Sequence, residues 1–197
     1  MDKVRIAVFC GSNHGHDEIY TAVAKQLGEL LLERGYGLVY GAGDVGLMGV
    51  IADTVLEGGG EVIGVIPQAL VEREVAHDGL SEMHVVETMH QRKQIMYDRA
   101  DAVVSMPGGI GTLDELFESL TWNQLGYLNV PCGVLNVAGY YDPLIEMLDK
   151  MVDQGFLRLA TRRLLHESSD AGELLDRLMA ARTGGPKWRV GGPVPES

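Results

Sequence analysis

The chain has 197 residues, of which 46% are hydrophobic, and a formal net charge of −12 at pH 7. This length and apolar fraction predict one domain with a substantial core, and the negative charge argues against a nucleic-acid partner. No apolar run reaches the length of a membrane span and the first residues do not resemble a signal peptide, so we expect no membrane partner. Cys10 and Cys132 lie in apolar runs, which favours buried thiols in a reduced, cytoplasmic protein, although a reactive Cys10 is an alternative.

Apolar runs of strand length alternate with segments of helical periodicity along the chain. The predicted strands are Val4–Cys10, Gly37–Tyr40, Glu61–Ile66, Met83–Val86, Ala102–Ser105, Cys132–Val137 and Leu164–His166. The predicted helices lie over Ile19–Leu31, Val50–Leu56, Met89–Arg99 and Leu113–Leu125, after Cys132–Val137, and over Ala171–Arg182. Repeated strand–helix units predict an α/β fold, a single-domain Rossmann-like parallel sheet with helices on both faces.

The predicted domain covers residues 1–182. Residues 183–197 contain three prolines and four glycines, which is typical of a poorly ordered tail. Trp188 in this tail is a candidate for docking on a partner subunit.

The stretch from Met106 to Glu115, MPGGIGTLDE, is the most informative part of the chain. It joins a short apolar strand to a helix, and the first N–H groups of a helix form a natural anion site. Gly108, Gly109 and Gly111 would let a phosphate approach the backbone. Glu115 adds a carboxylate within one turn, where an anion-binding site alone has no use for another negative charge. The combination indicates chemistry on a nucleotide.

Glu115 also has a purely structural interpretation. Thr112 and Glu115 are spaced as a capping box, in which the glutamate would fold back onto the Thr112 amide and contribute about 1 kcal/mol. A cap variant would lose stability, whereas a catalytic variant would lose rate.

The segment Thr88–Met96 is predicted to open a helix, because Thr88 and Gln91 form a capping-box pattern. Arg92 lies on a face of this helix that is otherwise apolar, and a guanidinium there needs an anionic partner or must extend to solvent. Lys93 points to an adjacent face, as a phosphate ligand or a solvated charge.

Two further glycine-rich loops follow predicted strands. The first, Cys10–Gly15, offers Ser12 and backbone amides to a base or phosphate, or is simply a polar connection to a helix capped by Asp17. The second, Gly41–Gly49, matches the dinucleotide pattern G-x-G-x-x-G. A dinucleotide site is disfavoured because the next strand ends at Pro67 without the carboxylate that holds the ribose. We expect instead close helix packing and ligand approach at these glycines.

Three motifs together resemble the Lonely Guy (LOG) family of cytokinin riboside 5′-monophosphate phosphoribohydrolases. They are the GLMG end of Gly41–Gly49, the MHQRK of Met89–Lys93 and the PGGIGTLDE of Pro107–Glu115. The segments Thr121–Gly126 and Asn136–Tyr141 are also similar to the family, and the similarity runs from about Val4 to Phe156. Asp114 stands where the family usually has a glutamate.

The resemblance implies a Rossmann-like homodimer that hydrolyses the N-glycosidic bond of an adenosine-type 5′-monophosphate to free base and ribose 5-phosphate. It implies catalytic roles for Arg92 and Glu115. We expect Arg92 to pair with Glu115 and to favour its ionised form. The expected substrate contacts are Ser12, Glu74, Arg92, Lys93, Gly108, Gly109, Ile110, Gly111, Thr112, Leu113, Asp114, Glu115 and Thr121. We expect no cofactor, and the sequence indicates no metal-ligand cluster. A non-catalytic nucleotide or cofactor carrier on the same fold is the alternative function.

Overall fold

The computed structural model describes residues 3–71, 77–183 and 185–188. The strands are β1 (Arg5–Phe9), β2 (Gly37–Tyr40), β3 (Val62–Pro67), β4 (Glu82–Val86), β5 (Ala102–Ser105), β6 (Cys132–Leu135) and β7 (Leu165–Ser168). The helices are α1 (Glu18–Glu33), α2 (Gly46–Glu57), α3 (Met89–Arg99), α4 (Ile110–Gln124), α5 (Asp142–Asp153), α6 (Leu159–Arg162) and α7 (Ala171–Ala181). Short 3₁₀ turns occupy Gln68–Leu70 and Val137–Gly139.

The seven strands form one parallel sheet in the order β4-β3-β2-β1-β5-β6-β7. This confirms the predicted α/β fold. The strand order reverses direction between β1 and β5, and ligands of such sheets bind beyond the carboxyl ends of the strands at that point. The loops that follow β1 and β5 meet there, because the Gly11 amide donates to the Pro107 carbonyl over 3.0 Å.

Two apolar clusters cover the faces of the sheet. One packs α1, α2 and α7 against one face, and the other packs α3, α4 and α5 against the opposite face. The inner strands β1, β2, β3, β5 and β6 are buried along almost their whole length, which explains their continuous apolar sequences. Among the helices of the described chain, none combines the length and apolar character that a bilayer crossing requires.

Local capping fixes where the helices begin. Asp17 accepts the Ile19 amide at the start of α1, and Thr88 forms the predicted capping box with Gln91 at the start of α3. Helix α4 differs from its prediction. It begins at Ile110, three residues early, with the extended Gly109 as N-cap and no side-chain cap.

The end of the described chain packs on the domain. Trp188 pairs with Leu128 in an antiparallel bridge, donates a hydrogen bond to Asp98, and lies 5.4 Å from the ring centre of Trp122. Trp188 therefore contacts its own chain, and its docking on a partner subunit stays a prediction. Residues 189–197 of the predicted tail lie outside the described residues.

Candidate active site

A cavity of about 270 Å³ opens at the carboxyl ends of β1, β2 and β5. It is lined by the loop after β1, by the loop after β2 with the first turn of α2, by α3 and by the start of α4. The lining residues include Cys10, Gly11, Ser12, Gly41, Met48, Arg92, Gly109, Ile110, Gly111, Thr112 and Glu115. The structure therefore brings Ser12, Arg92, Gly109–Thr112 and Glu115 of the predicted site into one cavity.

The start of α4 has the open backbone amides that the sequence predicts for an anion site. Leu113 makes the first helical hydrogen bond, to the Gly109 carbonyl over 3.2 Å, so the preceding amides of the first turn have no partner within the helix. A Cβ on Gly109 or Gly111 would meet no atom within 4 Å, which leaves open space above these amides. A Cβ on Gly108 would instead lie 2.2 Å from the Thr112 hydroxyl and force the loop apart. Gly108 is thus required by packing, whereas Gly109 and Gly111 keep the approach clear.

Glu115 lies in the second turn of α4 and is 6% exposed. Its Oε2 is fully buried and has no hydrogen-bond partner among the described residues. The capping interpretation is wrong, because Thr112 lies inside the helix instead of at its N-cap. Burial raises the pKa of the Glu115 carboxyl to about 7, although the charges of Arg92 and Lys93 act to lower it. We expected Arg92 to favour the ionised carboxyl, but the effect of burial on its pKa is larger than the effect of Arg92.

Arg92 is buried between the sheet and α3. Its guanidinium donates to the Val65 carbonyl over 3.1 Å and to the Gly41 carbonyl over 3.2 Å. A Cβ on Gly41 would lie 2.1 Å from Nη2 of Arg92, so the first glycine of the dinucleotide-like pattern makes room for this side chain. The last glycine, Gly46, has φ +58°, and its Cβ would lie 2.3 Å from the Ser12 backbone. Close packing therefore explains both glycines, as expected.

Lys93 is buried and is not the solvated charge that the sequence allowed. Its ammonium lies 2.7 Å from Asp114 and 3.2 Å from Glu118, both on α4. These ion pairs connect α3 to α4 beside the cavity.

Thr121, by contrast, is exposed on α4, one and a half turns beyond Glu115. Glu74 lies outside the described residues.

Burial raises the pKa of both thiols. The pKa of Cys10 and that of Cys132 are raised to about 12, and both cysteines are free and buried. Although Cys10 lines the cavity, the alternative of a reactive thiol there is disfavoured, because the thiolate is the reactive form.

Two tyrosines that follow β6 support the glycine-rich loop between β5 and α4, and the sequence analysis gave them no role. The Tyr141 hydroxyl donates to the Met106 carbonyl and the Tyr140 hydroxyl to the Gly108 carbonyl, each over 2.6 Å. These bonds give partners to two carbonyl oxygens of the loop and join it to the segment after β6. The sequence feature that could have identified them is the Tyr140-Tyr141 pair, which follows a strand ending at the same edge of the sheet as the cavity.

Comparison with known proteins decides the family. A family model described as "Possible lysine decarboxylase" matches residues 48–178. Over 174 residues the chain is 48% identical to the probable cytokinin riboside 5′-monophosphate phosphoribohydrolase LOGL1 of Oryza sativa subsp. japonica, covering 88% of this chain and 78% of that protein. It is 47% identical to LOG2 of Arabidopsis thaliana, with 88% and 82% covered. The chain belongs to the LOG family.

This LOG chain is an enzyme, as its relatives are.

Proteins with a different described function share the fold of this chain. The molybdenum cofactor carrier protein of Chlamydomonas reinhardtii superposes with a TM-score of 0.67 at 22% identity, over 91% of this chain and 99% of the carrier. At that identity the likeness concerns the fold alone, so function has to be argued from the site.

Proposed function

We propose that this LOG enzyme hydrolyses the N-glycosidic bond of an adenosine-type 5′-monophosphate, giving free base and ribose 5-phosphate. The observation that carries the proposal is the sharing of one cavity by the open first turn of α4 and the buried Glu115 carboxyl. The first is suited to a phosphate and the second to the cationic sugar that forms as the bond breaks. The names of the relatives describe the same reaction on cytokinin nucleotides.

In this proposal the 5′-phosphate binds at the N-terminus of α4. The amides of Ile110, Gly111 and Thr112 point along the helix axis toward the anion, and the helix dipole adds a favourable field. Leu113 and Asp114 complete the first turns, and the Ser12 hydroxyl faces the same cavity. Binding energy from this remote group positions the glycosidic bond for attack.

Glu115 then acts on the reacting carbon. In its ionised form it stabilises the oxocarbenium character of the ribose and accepts a proton from the attacking water. A pKa of about 7 suits such a base near neutral pH. Arg92 keeps part of the carboxyl population ionised and holds the Gly41 carbonyl at the cavity wall. Lys93 fixes α3 against α4, and we propose that Lys93, Thr121 and Glu74 complete the substrate contacts.

The family description of a lysine decarboxylase does not fit the lysine beside this site. A Schiff-base lysine must lose its proton, which requires a lowered pKa. Lys93 instead has a raised pKa, because the ion pairs with Asp114 and Glu118 outweigh its burial.

Turnover tests the proposal against the carrier alternative. Purified enzyme is incubated with AMP and with N6-isopentenyl-AMP, and the products are separated by chromatography. We expect equimolar base and ribose 5-phosphate, with the preferred nucleotide identifying the base. Tight binding of both nucleotides without base release would refute the enzyme and favour a carrier. Titration with NAD serves as the control for a dinucleotide site.

We also propose that the enzyme is a homodimer through the exposed face of α4. Ile110 is 81% exposed and Phe117 38% exposed, and their spacing of seven residues places them on one side of the helix with Thr121. Phe117→Asp is expected to give monomers by light scattering coupled to size exclusion. Phe156→Asp changes a residue that is 88% exposed elsewhere and serves as the control. A Phe117→Asp dimer would refute this interface.

The buried free thiols support a reducing compartment, and we propose that the enzyme works in the cytoplasm. Localisation of a tagged copy by fractionation tests this.

A further inference from the structure

A histidine and two aspartates meet on the α2 side of the sheet, although nothing in their sequence spacing indicates it. Asp44 lies in the loop after β2, Asp53 on α2, and His77 ahead of β4. His77 Nε2 lies 3.0 Å from Asp53 Oδ1 and 3.8 Å from Asp44 Oδ1. One ligand atom from each residue falls within 4.8 Å of the other two. This spacing is compatible with the first coordination shell of one metal ion.

The hydrogen bonds of His77 decide which of its nitrogens carries the lone pair. Nδ1 lies 2.6 Å from the Asp78 carbonyl, which can only accept, so Nδ1 carries a hydrogen. In the neutral ring, Nε2 is therefore an acceptor that faces two carboxylates. The His77 side chain is 9% exposed, whereas those of Asp44 and Asp53 are 45% and 57% exposed. The cluster needs a cation on Nε2, either a proton or a metal ion. A histidine that donates its other nitrogen to a carbonyl is the usual arrangement of a metal ligand.

A buried hydroxyl nearby provides a second, independent observation. Tyr40 is completely buried, and its phenol oxygen has no hydrogen-bond partner within the described ranges. Tyr40 ends β2, four residues before Asp44. An unpaired buried hydroxyl is costly, and a metal-bound water would be a partner for it.

We propose that Asp44, Asp53 and His77 bind one divalent transition-metal ion of the zinc, cobalt, nickel or manganese class. One imidazole and two carboxylates are ligands that this class accepts. A proton on Nε2 would bond to Asp53 alone, at 3.0 Å, whereas a divalent ion would also bind the Asp44 carboxylate, whose Oδ1 lies 3.8 Å from Nε2. The backbone supports the arrangement, since the His77 amide donates to the Ala42 carbonyl over 3.0 Å.

The ion would have a structural role in this position. It would join the loop after β2, helix α2 and the segment ahead of β4. Its three ligands do not line the cavity that contains Glu115. Gly41, whose carbonyl binds Arg92, begins the loop that the ion would tie down. Loading with metal is therefore expected to stabilise the fold and to act on turnover only indirectly.

The test uses the full chain, stripped with a chelator and dialysed. Zn²⁺ and Co²⁺ are titrated by calorimetry, and melting temperatures are measured with and without metal. We expect one ion per chain and, at a hundredfold excess over Kd, a rise in Tm of roughly 5–10 °C. The ligand-field spectrum of the Co²⁺ form is expected to show nitrogen and oxygen ligands.

Variants assign the ion to this cluster. His77→Gln and Asp44→Asn are expected to weaken Zn²⁺ binding by at least about tenfold. His84→Gln, which changes another histidine paired with a carboxylate, Glu82 at 2.7 Å, is expected to bind as the parent does. Asp44 is exposed, so its variant is expected to fold even where His77→Gln does not. Equal Zn²⁺ binding by Asp44→Asn would overturn the proposal. So would nitrogen NMR spectra in which His77 is doubly protonated at pH 7 and unchanged by added Zn²⁺, since a proton would then occupy the cluster.

Discussion

Replacing Glu115 by glutamine separates the contribution of this side chain to stability from its contribution to rate. Burial raises the pKa of the carboxyl from 4.5 to about 7. A difference of about 2.5 pKa units, at about 1.4 kcal/mol each, gives a cost of about 3.5 kcal/mol for holding the ionised form in the folded protein. Because the side chain is 6% exposed, solvent screening does little to reduce this figure. Glutamine has nearly the same shape and no charge to bury.

The sign of the effect depends on pH. Below pH 4.5 the carboxyl is protonated in both the folded and the unfolded chain, so it carries no cost. As pH rises from 4.5 through about 7, the unfolded chain ionises first and the free energy of unfolding falls. Glu115→Gln is therefore expected to melt close to the parent at pH 5 and roughly 5–10 °C above it at pH 8.5. We also expect its kcat to fall by at least about 100-fold, since the base and the cation-stabilising charge are both lost.

Thermal melts of the free enzyme from pH 5 to 9 and initial rates of base release measure both effects. In the parent enzyme, kcat is expected to rise with pH through about 7 as Glu115 ionises. Glu118→Gln is the matched control, because it removes a carboxylate one turn later that pairs with Lys93, and it is expected to show no rise in Tm at pH 8.5. A Glu115→Gln variant that melts below the parent at every pH, or that retains normal turnover, would refute the reasoning.

Three further predictions concern other parts of the site and its support. Gly111→Ala places a methyl group in open space over the anion site, so we expect KM for the nucleotide to rise by about tenfold or more with little change in Tm, whereas Gly108→Ala should lower Tm because of the Thr112 contact. Arg92→Lys replaces the two nitrogens that each bond a backbone carbonyl with a single ammonium. Calorimetry is expected to show a loss of about 1–2 kcal/mol in the free energy of unfolding, and rate measurements are expected to show reduced turnover. Trp188→Ala should lower the free energy of unfolding by about 2 kcal/mol in denaturant titrations, because Trp188 packs on Trp122 of its own chain; an unchanged value would contradict that packing.

The strands, their parallel pairing and the sheet edge that carries the site could be predicted from local sequence, whereas the order of the strands in the sheet was not predicted. Continuous apolar runs indicate buried parallel strands, and glycines cluster where those strands end. The helix starts at Asp17 and Thr88 were predictable because a capping side chain bonds within its own turn. The start of α4 was not, because the N-cap is a glycine whose extended backbone has no distinctive side chain, while Thr112 imitates a cap.

Other features depend on contacts that local patterns do not record. His77 and Asp53 are 24 residues apart, and their proximity needs the path of the chain from α2 to β4. Tyr140 reaches Gly108 across 32 residues. The pKa of Glu115 is set by how completely α4 is buried against the sheet, and a sequence that shows a nearby arginine gives no measure of that burial.

One helix serves both ends of the proposed substrate. The open amides of Gly111 and its neighbours lie at the first turn of α4, and Glu115 follows four residues later, about 6 Å along the axis. This span is comparable with a ribose between its 5′-phosphate and its anomeric carbon, and side chains on a helix lean back toward its N-terminus. Despite the charges of Arg92 and Lys93, the ionised carboxylate is costly in the empty cavity, and it gains the positive charge of the sugar as a further partner only as the glycosidic bond breaks. Its interaction is therefore stronger in the transition state than in the bound substrate, which is the condition for raising kcat instead of only lowering KM.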